Sequence, residues 1–214
     1  MSDKFQNKYR ISSARLQNWD YGANAMYFVT ICSQNRECYF GEIVTTQTVG
    51  TPNLGVSTEP VATIRLSEIG KNANQYWVDI PNHFPFVELG EFIVMPNHVH
   101  GIIIINKINN CDGCDGRYAI NRVSTETKTK ISTNKIGGFA GDKNPMINDN
   151  VSRIIRWYKG RVSFESRKIN ADFAWQSRFY DHIIRNDESL HRISKYIRNN
   201  PLNWLNDKLH NTAT

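Results

Sequence analysis

The sequence predicts an α+β protein built on an antiparallel sheet. Apolar, β-branched runs typical of strands occur at 26–33, 84–95 and 99–105. Apolar residues at helical spacing occur at 66–80 and again from residue 151. The chain has 214 residues, of which 40% are hydrophobic and 21% are charged, so it can bury a core, and wholesale disorder and a fibrous class are excluded.

Prolines mark the boundaries in the first half of the chain. Pro81 follows the first helical pattern and is predicted to stop that helix. Pro96 and Asn97 lie between the second and third strands, and this dipeptide favours a turn. The two strands are therefore predicted to form a hairpin.

The second half of the chain supplies two more helices and one strand. A helix from residue 151 is followed by a strand at about 173–180 and by a helix over 187–199 that is capped at 186–187 and ends at Pro201. The resulting order is β-α-β-β-α-β followed by a helix, which is the ferredoxin-like arrangement. We expect helices on one face of the sheet, with the other face left free for a ligand.

Two polar segments interrupt this pattern. The segments at about 45–63 and 107–150 are rich in Thr, Gly and Asn and lack sustained periodicity, so we interpret them as insertions in a single domain over 1–214. Cys111 and Cys114 form a CxxC pair in the second insertion. Without a second pair at suitable spacing, we predict that it has no function.

Composition and charge restrict the cellular location and the partner. The sequence shows no membrane-spanning run and no secretory signal, and its four cysteines fit free thiols, so we expect a cytoplasmic protein. The net charge is +6, and the whole excess lies in residues 151–214, which carry twelve Lys or Arg against six Asp or Glu. This bias favours a phosphate-bearing partner, although a solvated basic surface gives the same pattern.

A pair of histidines marks the start of the third strand. His98 and His100 lie at i and i+2, so their side chains project from the same side of the sheet and can reach one divalent ion. Gly101 is expected to leave room beside them. The alternative is a pair of hydrogen-bonded histidines at a strand end.

A tyrosine and an asparagine lie one turn apart on the last helix. Tyr196 and Asn200 flank the apolar stripe of that helix, so we expect them to face the sheet edge, where they would supply a nucleophile and a third metal ligand. In the alternative interpretation, Tyr196 completes the stripe and Asn199 or Asn200 caps the helix end.

Four segments in order resemble a known family. Tyr27–Cys32, Phe92–Gly101, Trp175–Arg185 and Tyr196–Pro201 together resemble the REP-associated tyrosine transposases, relatives of the single-tyrosine insertion-sequence transposases among the HUH endonucleases. The resemblance covers about residues 21–204 apart from the two insertions.

The resemblance implies a role for each matching residue. His98 and His100 match the histidine pair, and Tyr196 matches the catalytic tyrosine. Asn200 stands where insertion-sequence relatives carry a metal-binding glutamine, and its side chain is one methylene shorter. Tyr180 is the second candidate nucleophile, and His182 is either an active-site group or, as we favour, a hydrogen-bonded structural histidine.

The implied function is DNA transposition by single-strand nicking and joining. The resemblance implies a 5′-phosphotyrosine intermediate, Mg²⁺ or Mn²⁺, single-stranded or hairpin-forming DNA as substrate, and either a monomer or a homodimer. The alternatives are a hairpin-binding protein of the same fold without catalysis and a histidine-metal hydrolase of another kind. Trp157, Tyr158 and Trp175 are candidates for stacking on bases. The candidate phosphate contacts are Arg153, Arg156, Lys159, Arg161, Arg185, Arg192, Lys195 and Arg198.

Overall fold

A computed structural model gives the architecture of the protein. It describes residues 4–5, 8–9, 19–46, 61–107 and 149–210. The strands are β1 (Lys4–Phe5), β2 (Lys8–Tyr9), β3 (Ala25–Cys32), β4 (Gly41–Thr46), β5 (Val61–Leu66), β6 (Val87–Met95), β7 (His98–Ile105) and β8 (Tyr180–Ile184). The helices are α1 (Glu68–Val78), α2 (Ile80–His83), α3 (Val151–Ser166) and α4 (Asp187–Asn199).

Four strands form the central sheet. Their order is β6-β7-β3-β8, and every neighbouring pair is antiparallel. The predicted hairpin corresponds to β6 and β7, with Pro96 and Asn97 between them. In the register of β3 with β7, His98 faces Cys32 and His100 faces Thr30. The predicted α+β class, with an antiparallel sheet and helices, is confirmed.

The two faces of the sheet carry separate apolar clusters. On one face, Val99 and Ile103 of β7 pack into the large core that includes Trp77 of α1 and Tyr158 of α3. On the other face, Ile102 packs against a smaller cluster that includes Ile193 and Ile197 of α4. Helices α1 and α3 lie on one face, as expected, whereas the expectation that the second face is free is wrong, because α4 covers it. The apolar stripe of α4 has to be buried, and this face of the sheet buries it.

Two predicted boundaries need correction. The strand expected at 173–180 begins only at Tyr180, and the preceding segment contributes an isolated bridge between Trp175 and Ser33. Phe173 in that segment is fully buried in the large core, so its aromatic character reflects packing and not strand formation. Pro81 does not stop all helical structure, because it lies in the first turn of α2, where its missing N–H costs nothing.

The predicted insertions fall mainly outside the described residues. Residues 47–60 and 108–148, including Cys111 and Cys114, lie in the part that is not described. The ends of the first insertion belong to β4 and β5, which pair with each other as a two-stranded antiparallel sheet. Among the described residues, no helix is long and apolar enough to cross a membrane.

Candidate metal centre and tyrosine

The two histidines lie side by side at the start of β7. His98 is fully buried and His100 is 2% exposed, and their ring centroids are 4.3 Å apart. Both project from the face of the sheet that α4 covers, since they alternate along β7 with Val99 of the large core. The expected i, i+2 arrangement brings the two imidazoles together.

Asn97 fixes the proton of His98. The Asn97 amide nitrogen donates to the carbonyl oxygens of Arg36 (3.2 Å) and Leu209 (2.7 Å), so its side-chain oxygen is left to accept. His98 Nδ1 lies 2.7 Å from that oxygen and therefore carries the proton that it donates. The lone pair of His98 is consequently on Nε2, a buried atom without a hydrogen-bond partner in the described structure.

Both histidines are held in their neutral form. Burial lowers the pKa of His98 to about 3, and the positive charge of Arg36 adds to the effect. Burial lowers the pKa of His100 well below its usual range; His98 contributes to the shift and Asp207 opposes it. A neutral imidazole is the form that binds a metal ion, so both rings are ready for a ligand role near neutral pH.

Asp207 is the third member of the cluster, and the sequence did not predict it. One ligand atom from each of His98, His100 and Asp207 lies within 4.8 Å of the others. Asp207 follows the 3₁₀ helix Pro201–Asn206, a segment without a periodicity that would orient its side chain. Its Oδ1 accepts from the backbone N–H of Leu209 at 2.8 Å, while Oδ2 is buried without a partner.

The tyrosine predicted as nucleophile adjoins the histidines. The Tyr196 hydroxyl is 3.3 Å from His100 Nε2, and its side chain is 46% exposed. Helix α4 fixes this position, because Ile193 and Ile197 on its buried stripe pack on the sheet. Burial raises the pKa of Tyr196 above its ordinary value, with Asp207 contributing, while a hydrogen bond from Asn200 opposes the shift.

Asn200 ends α4 as its C-terminal cap and is almost fully buried. Its backbone N–H donates to the carbonyl of Ile197, as in a helix cap. The backbone of Asn200 therefore has the capping role that the alternative interpretation predicted. The side-chain oxygen is buried without a hydrogen-bond partner in the described structure. The cap therefore does not use this oxygen, which can still serve a ligand.

The donor set fits a divalent metal ion. His98 Nε2, Asp207 Oδ2 and Asn200 Oδ1 are all buried acceptors that no donor in the described structure satisfies. Leaving one such acceptor buried costs about 1–3 kcal/mol, and a cation would satisfy all that it reaches. Two imidazoles, a carboxylate and an amide oxygen suit a borderline or hard divalent ion.

The positively charged candidates fall into two groups. Arg192, Lys195 and Arg198 are exposed on α4, with Arg185 just before it. Arg198 lies 3.8 Å from Glu91 of β6. The second group lies on α3, on the other side of the sheet. Most of its charged groups contact a neighbouring carboxylate or aromatic ring. Arg153 pairs with Asp149, Lys159 lies over the Trp175 ring and Arg161 lies over Tyr76, whereas Arg156 is exposed.

Several other candidates do not belong to the cluster of His98, His100 and Asp207. The Tyr180 ring, 57% exposed, packs edge-on against Phe28, whose ring is also edge-on to Tyr196. His182 is exposed on β8, and in the described region its side chain makes no hydrogen bond, so the favoured structural role is not observed. Tyr158 is fully buried and donates to the Ala73 carbonyl, so it cannot stack on DNA bases.

Gly101 serves a different purpose from the one predicted. It projects to the face opposite the histidines, where a Cβ would lie 2.2 Å from Cζ2 of Trp77. The missing side chain therefore makes room for a core tryptophan and not for the metal centre. The expectation for Gly101 is therefore wrong, because alternation along a strand places adjacent residues on opposite faces of the sheet.

The fold and site together define a class: an α+β protein with a histidine pair, a carboxylate and a helix-borne tyrosine at one sheet face. The chain is 33% identical over 200 residues to an uncharacterized protein of Haemophilus influenzae, with 92% of each chain covered. It belongs to the same family as that protein. No family model matches the chain.

Two solved structures are similar to the chain at low sequence identity. One is a REP-associated tyrosine transposase bound to a REP hairpin, with 16% identity, a TM-score of 0.47 and coverage of 91% of this chain and 74% of that one. The other is a candidate transposase from Deinococcus radiodurans R1, with 11% identity, a TM-score of 0.36 and coverage of 87% and 97%.

Proposed function

We propose that this protein is a REP-associated tyrosine transposase that nicks and joins single-stranded DNA. The observation that carries the proposal is the 3.3 Å separation between the Tyr196 hydroxyl and His100 Nε2, beside buried acceptors that lack a donor. A phenol at the edge of a metal-ready cluster has the arrangement required of a nucleophile next to an electrophilic centre. The observed order β6-β7-β3-β8 further supports a ferredoxin-like fold in a single domain over 1–214.

The proposed metal ligands are His98, His100 and Asp207, with Asn200 as a further candidate through its side-chain oxygen. Mg²⁺ or Mn²⁺ at this position would neutralise charge on the scissile phosphate. Asn97 would hold His98 in the tautomer that presents Nε2, and Thr30, whose hydroxyl is 2.8 Å from Nδ1, would orient His100.

Tyr196 is the proposed nucleophile. Its oxygen attacks the phosphorus, a bond forms between that oxygen and phosphorus, and the bond to the 3′ oxygen breaks. The phenol loses its proton, and the 3′ oxygen gains one to become a hydroxyl. The 5′-phosphotyrosine keeps the phosphodiester free energy, so a second 3′-hydroxyl can reverse the step and join two strands.

The DNA strand is proposed to run along α4. Arg192, Lys195 and Arg198 are exposed on the helix that carries Tyr196, so they can bind the backbone on either side of the scissile phosphate. Hairpin-forming single-stranded DNA is the proposed substrate, because the sequence motifs resemble enzymes that use it. A cytoplasmic location follows from the proposed free cysteines.

A second candidate function is hairpin binding without catalysis. It is favoured by Asn200, whose side chain is shorter than the glutamine of insertion-sequence relatives and so reaches less far toward an ion. The raised pKa of the Tyr196 hydroxyl also disfavours the phenolate form when no ion is bound. The two functions share DNA binding and differ in covalent chemistry.

Covalent trapping separates the two functions. The protein is incubated with labelled hairpin DNA and Mn²⁺, denatured and separated by electrophoresis. We expect a DNA-linked band that is lost in Tyr196→Phe and in His98→Ala, while both variants keep DNA binding. Full nicking by His98→Ala would refute the metal centre, and hairpin binding without a linked band in the unmodified protein would favour the second candidate.

A further inference from the structure

The Tyr196 hydroxyl engages one donor atom of the proposed metal centre and leaves the others alone. Three buried acceptors, His98 Nε2, Asp207 Oδ2 and Asn200 Oδ1, have no hydrogen-bond partner within the described residues. His100 Nε2 differs from them, because it lies 3.3 Å from the Tyr196 hydroxyl. The proposed nucleophile is therefore bound to an atom that the proposed centre needs for an ion.

The phenol and an ion exclude each other at His100. The Thr30 hydroxyl lies 2.8 Å from the other ring nitrogen, Nδ1, so Nε2 is the nitrogen left to bind an ion. When Nδ1 carries the proton, the single lone pair of Nε2 accepts from the phenol. When Nε2 carries the proton, it donates to the phenol and has no lone pair for an ion. In either tautomer, an ion can bind Nε2 only after the contact with Tyr196 is broken.

The surroundings of the phenol hold it at His100. The side chain of Asn200 donates a hydrogen bond to the phenol oxygen. The ring of Phe28 is edge-on to Tyr196 at 6.2 Å and lies 5.3 Å from the ring of His100. His100 is almost fully buried, so solvent offers its Nε2 little alternative to the phenol. A buried acceptor without a partner is costly, and this cost stabilises the contact.

The phenol can leave His100 without disrupting helix α4. The Tyr196 side chain is 46% exposed, so rotation about its side-chain bonds can turn the hydroxyl toward solvent. Ile193 and Ile197 pack the helix on the sheet, and their burial does not depend on the hydroxyl. An exposed hydroxyl regains hydrogen bonds from water, and a metal bond to His100 replaces the one that the imidazole loses.

We propose that His100 holds the Tyr196 hydroxyl until a divalent ion binds Nε2, an inference that rests on the proposed function. Binding of the ion breaks the hydrogen bond between His100 and Tyr196 and frees the phenol. The nucleophile is thus released only when the ion that binds the scissile phosphate is present. The contact couples metal binding to release of the nucleophile and restrains Tyr196 when no ion is bound.

Mn²⁺ binding by Tyr196→Phe tests this competition. The full chain is titrated with Mn²⁺ in a calorimeter without DNA, so the measurement does not depend on nicking. Loss of the hydroxyl removes the competitor for His100 Nε2. The variant should therefore bind Mn²⁺ about three- to tenfold more tightly than the unmodified protein, the effect of one hydrogen bond. Tyr180→Phe makes the same change on an exposed tyrosine of β8 and should leave the Mn²⁺ affinity unchanged.

Thermal unfolding gives a second readout that a purely structural role of the hydroxyl would not produce. In EDTA, His100 Nε2 of Tyr196→Phe lacks its partner, so the Tm of the variant should lie about 2–4 °C below that of the unmodified protein. In saturating Mn²⁺ this gap should close, because the ion satisfies His100 in both proteins. A gap of equal size in EDTA and in Mn²⁺ would overturn the inference.

The other outcomes separate this inference from the proposed function. Weaker Mn²⁺ binding by Tyr196→Phe would make the phenol a metal ligand and would overturn its release. Unchanged Mn²⁺ affinity in Tyr196→Phe would overturn the competition, even if the tyrosine adduct with DNA still forms. No Mn²⁺ binding by the unmodified protein would overturn the inference together with the proposed metal centre.

Discussion

Asn97 shows how much of the proposed centre depends on one residue outside the ligand set. It is fully buried. Its amide nitrogen donates to the carbonyls of Arg36 and Leu209, and its amide oxygen accepts from His98. One side chain thereby orients a ligand imidazole and anchors the segment that carries Asp207. A partner of this kind behind a metal ligand commonly affects affinity as strongly as the geometry of the ligand itself.

Replacement of Asn97 should therefore weaken metal binding. Asn97→Ala removes the acceptor for His98 Nδ1–H and frees the segment after Asp207, so we expect Mn²⁺ affinity to fall about 10- to 100-fold. Calorimetric titration with Mn²⁺ measures this. Asn74→Ala on α1, across the sheet from the centre, should bind Mn²⁺ normally. Unchanged affinity in Asn97→Ala would mean that the hydrogen bonds have only a structural role.

Individual residues of the site could be predicted to different degrees. The histidine pair and Tyr196 follow from the periods of a strand and a helix, which fix the relative direction of side chains along one element. Asp207 could not be predicted, because its position depends on tertiary hydrogen bonds from Asn97 and Arg36 to an irregular segment. Asn97 itself was interpreted as a turn residue, although its place directly before the motif was a usable signal.

At the scale of elements, the contact between β7 and α1 depends on Gly101. A Cβ at this position would lie 2.2 Å from Trp77. The indole is fully buried and is packed against Phe92 and Tyr158, with ring centroids 5.8 and 5.2 Å away. Helix α1 therefore packs closely on β7, the strand that carries the histidines. A side chain at position 101 would displace the helix and the strand from each other.

Two glycine substitutions test this contact against a matched control. Gly101→Ala should destabilise the protein by about 1–3 kcal/mol through overpacking. Gly160→Ala in α3 meets no atom within 4 Å, so better helix propensity should stabilise the protein by about 0.5–1 kcal/mol. Urea unfolding measures both free energies. Equal stability of the two variants would contradict the close packing of Trp77 on β7.

The two basic helices should contribute unequally to DNA binding. Lys195 on α4 lies beside Tyr196, whereas Arg156 on α3 lies across the sheet. Lys195→Ala should weaken hairpin binding and reduce the slope of log K against log salt by about 1, as the loss of one phosphate contact does. Arg156→Ala should leave the slope unchanged. A larger effect of Arg156→Ala would place the DNA on the α3 side.

Most elements of the central sheet and its long helices could be predicted, and the layering could be predicted less well. Periodicity located β3, β6, β7, α3 and α4 because each has a clear apolar face. It could not show that α4 covers the second face of the sheet, since an apolar stripe does not specify which surface buries it. The segment before Tyr180 was mistaken for a strand because its aromatic residues fill the core from an irregular backbone.

At the scale of the whole molecule, the buried neutral histidines link folding to pH. The folded pKa of His98 is about 3, whereas an unfolded histidine titrates near 6.5. The unfolded state therefore binds more protons below pH 6.5. The contribution of neutral His98 to the free energy of unfolding is complete above that pH and decreases as the pH falls toward 3. His98 alone should lower the free energy of unfolding by about 2 kcal/mol at pH 5 relative to pH 7.

Unfolding of the protein in EDTA at the two pH values measures this loss. His98→Gln, which cannot be protonated, should show a pH-dependent loss that is smaller by about 2 kcal/mol. His191→Gln, on the exposed side of α4, should keep the loss seen in the unmodified protein. An identical pH dependence in all three proteins would contradict a neutral buried His98.

The most direct test is to identify the residue that becomes linked to DNA. After reaction with hairpin DNA and Mn²⁺, nuclease and trypsin digestion should leave the residual nucleotide on the peptide Tyr196–Arg198, as detected by mass spectrometry. Recovery of the nucleotide on the peptide Phe179–Arg185, which contains Tyr180, would show that the tyrosine beside His100 is not the nucleophile.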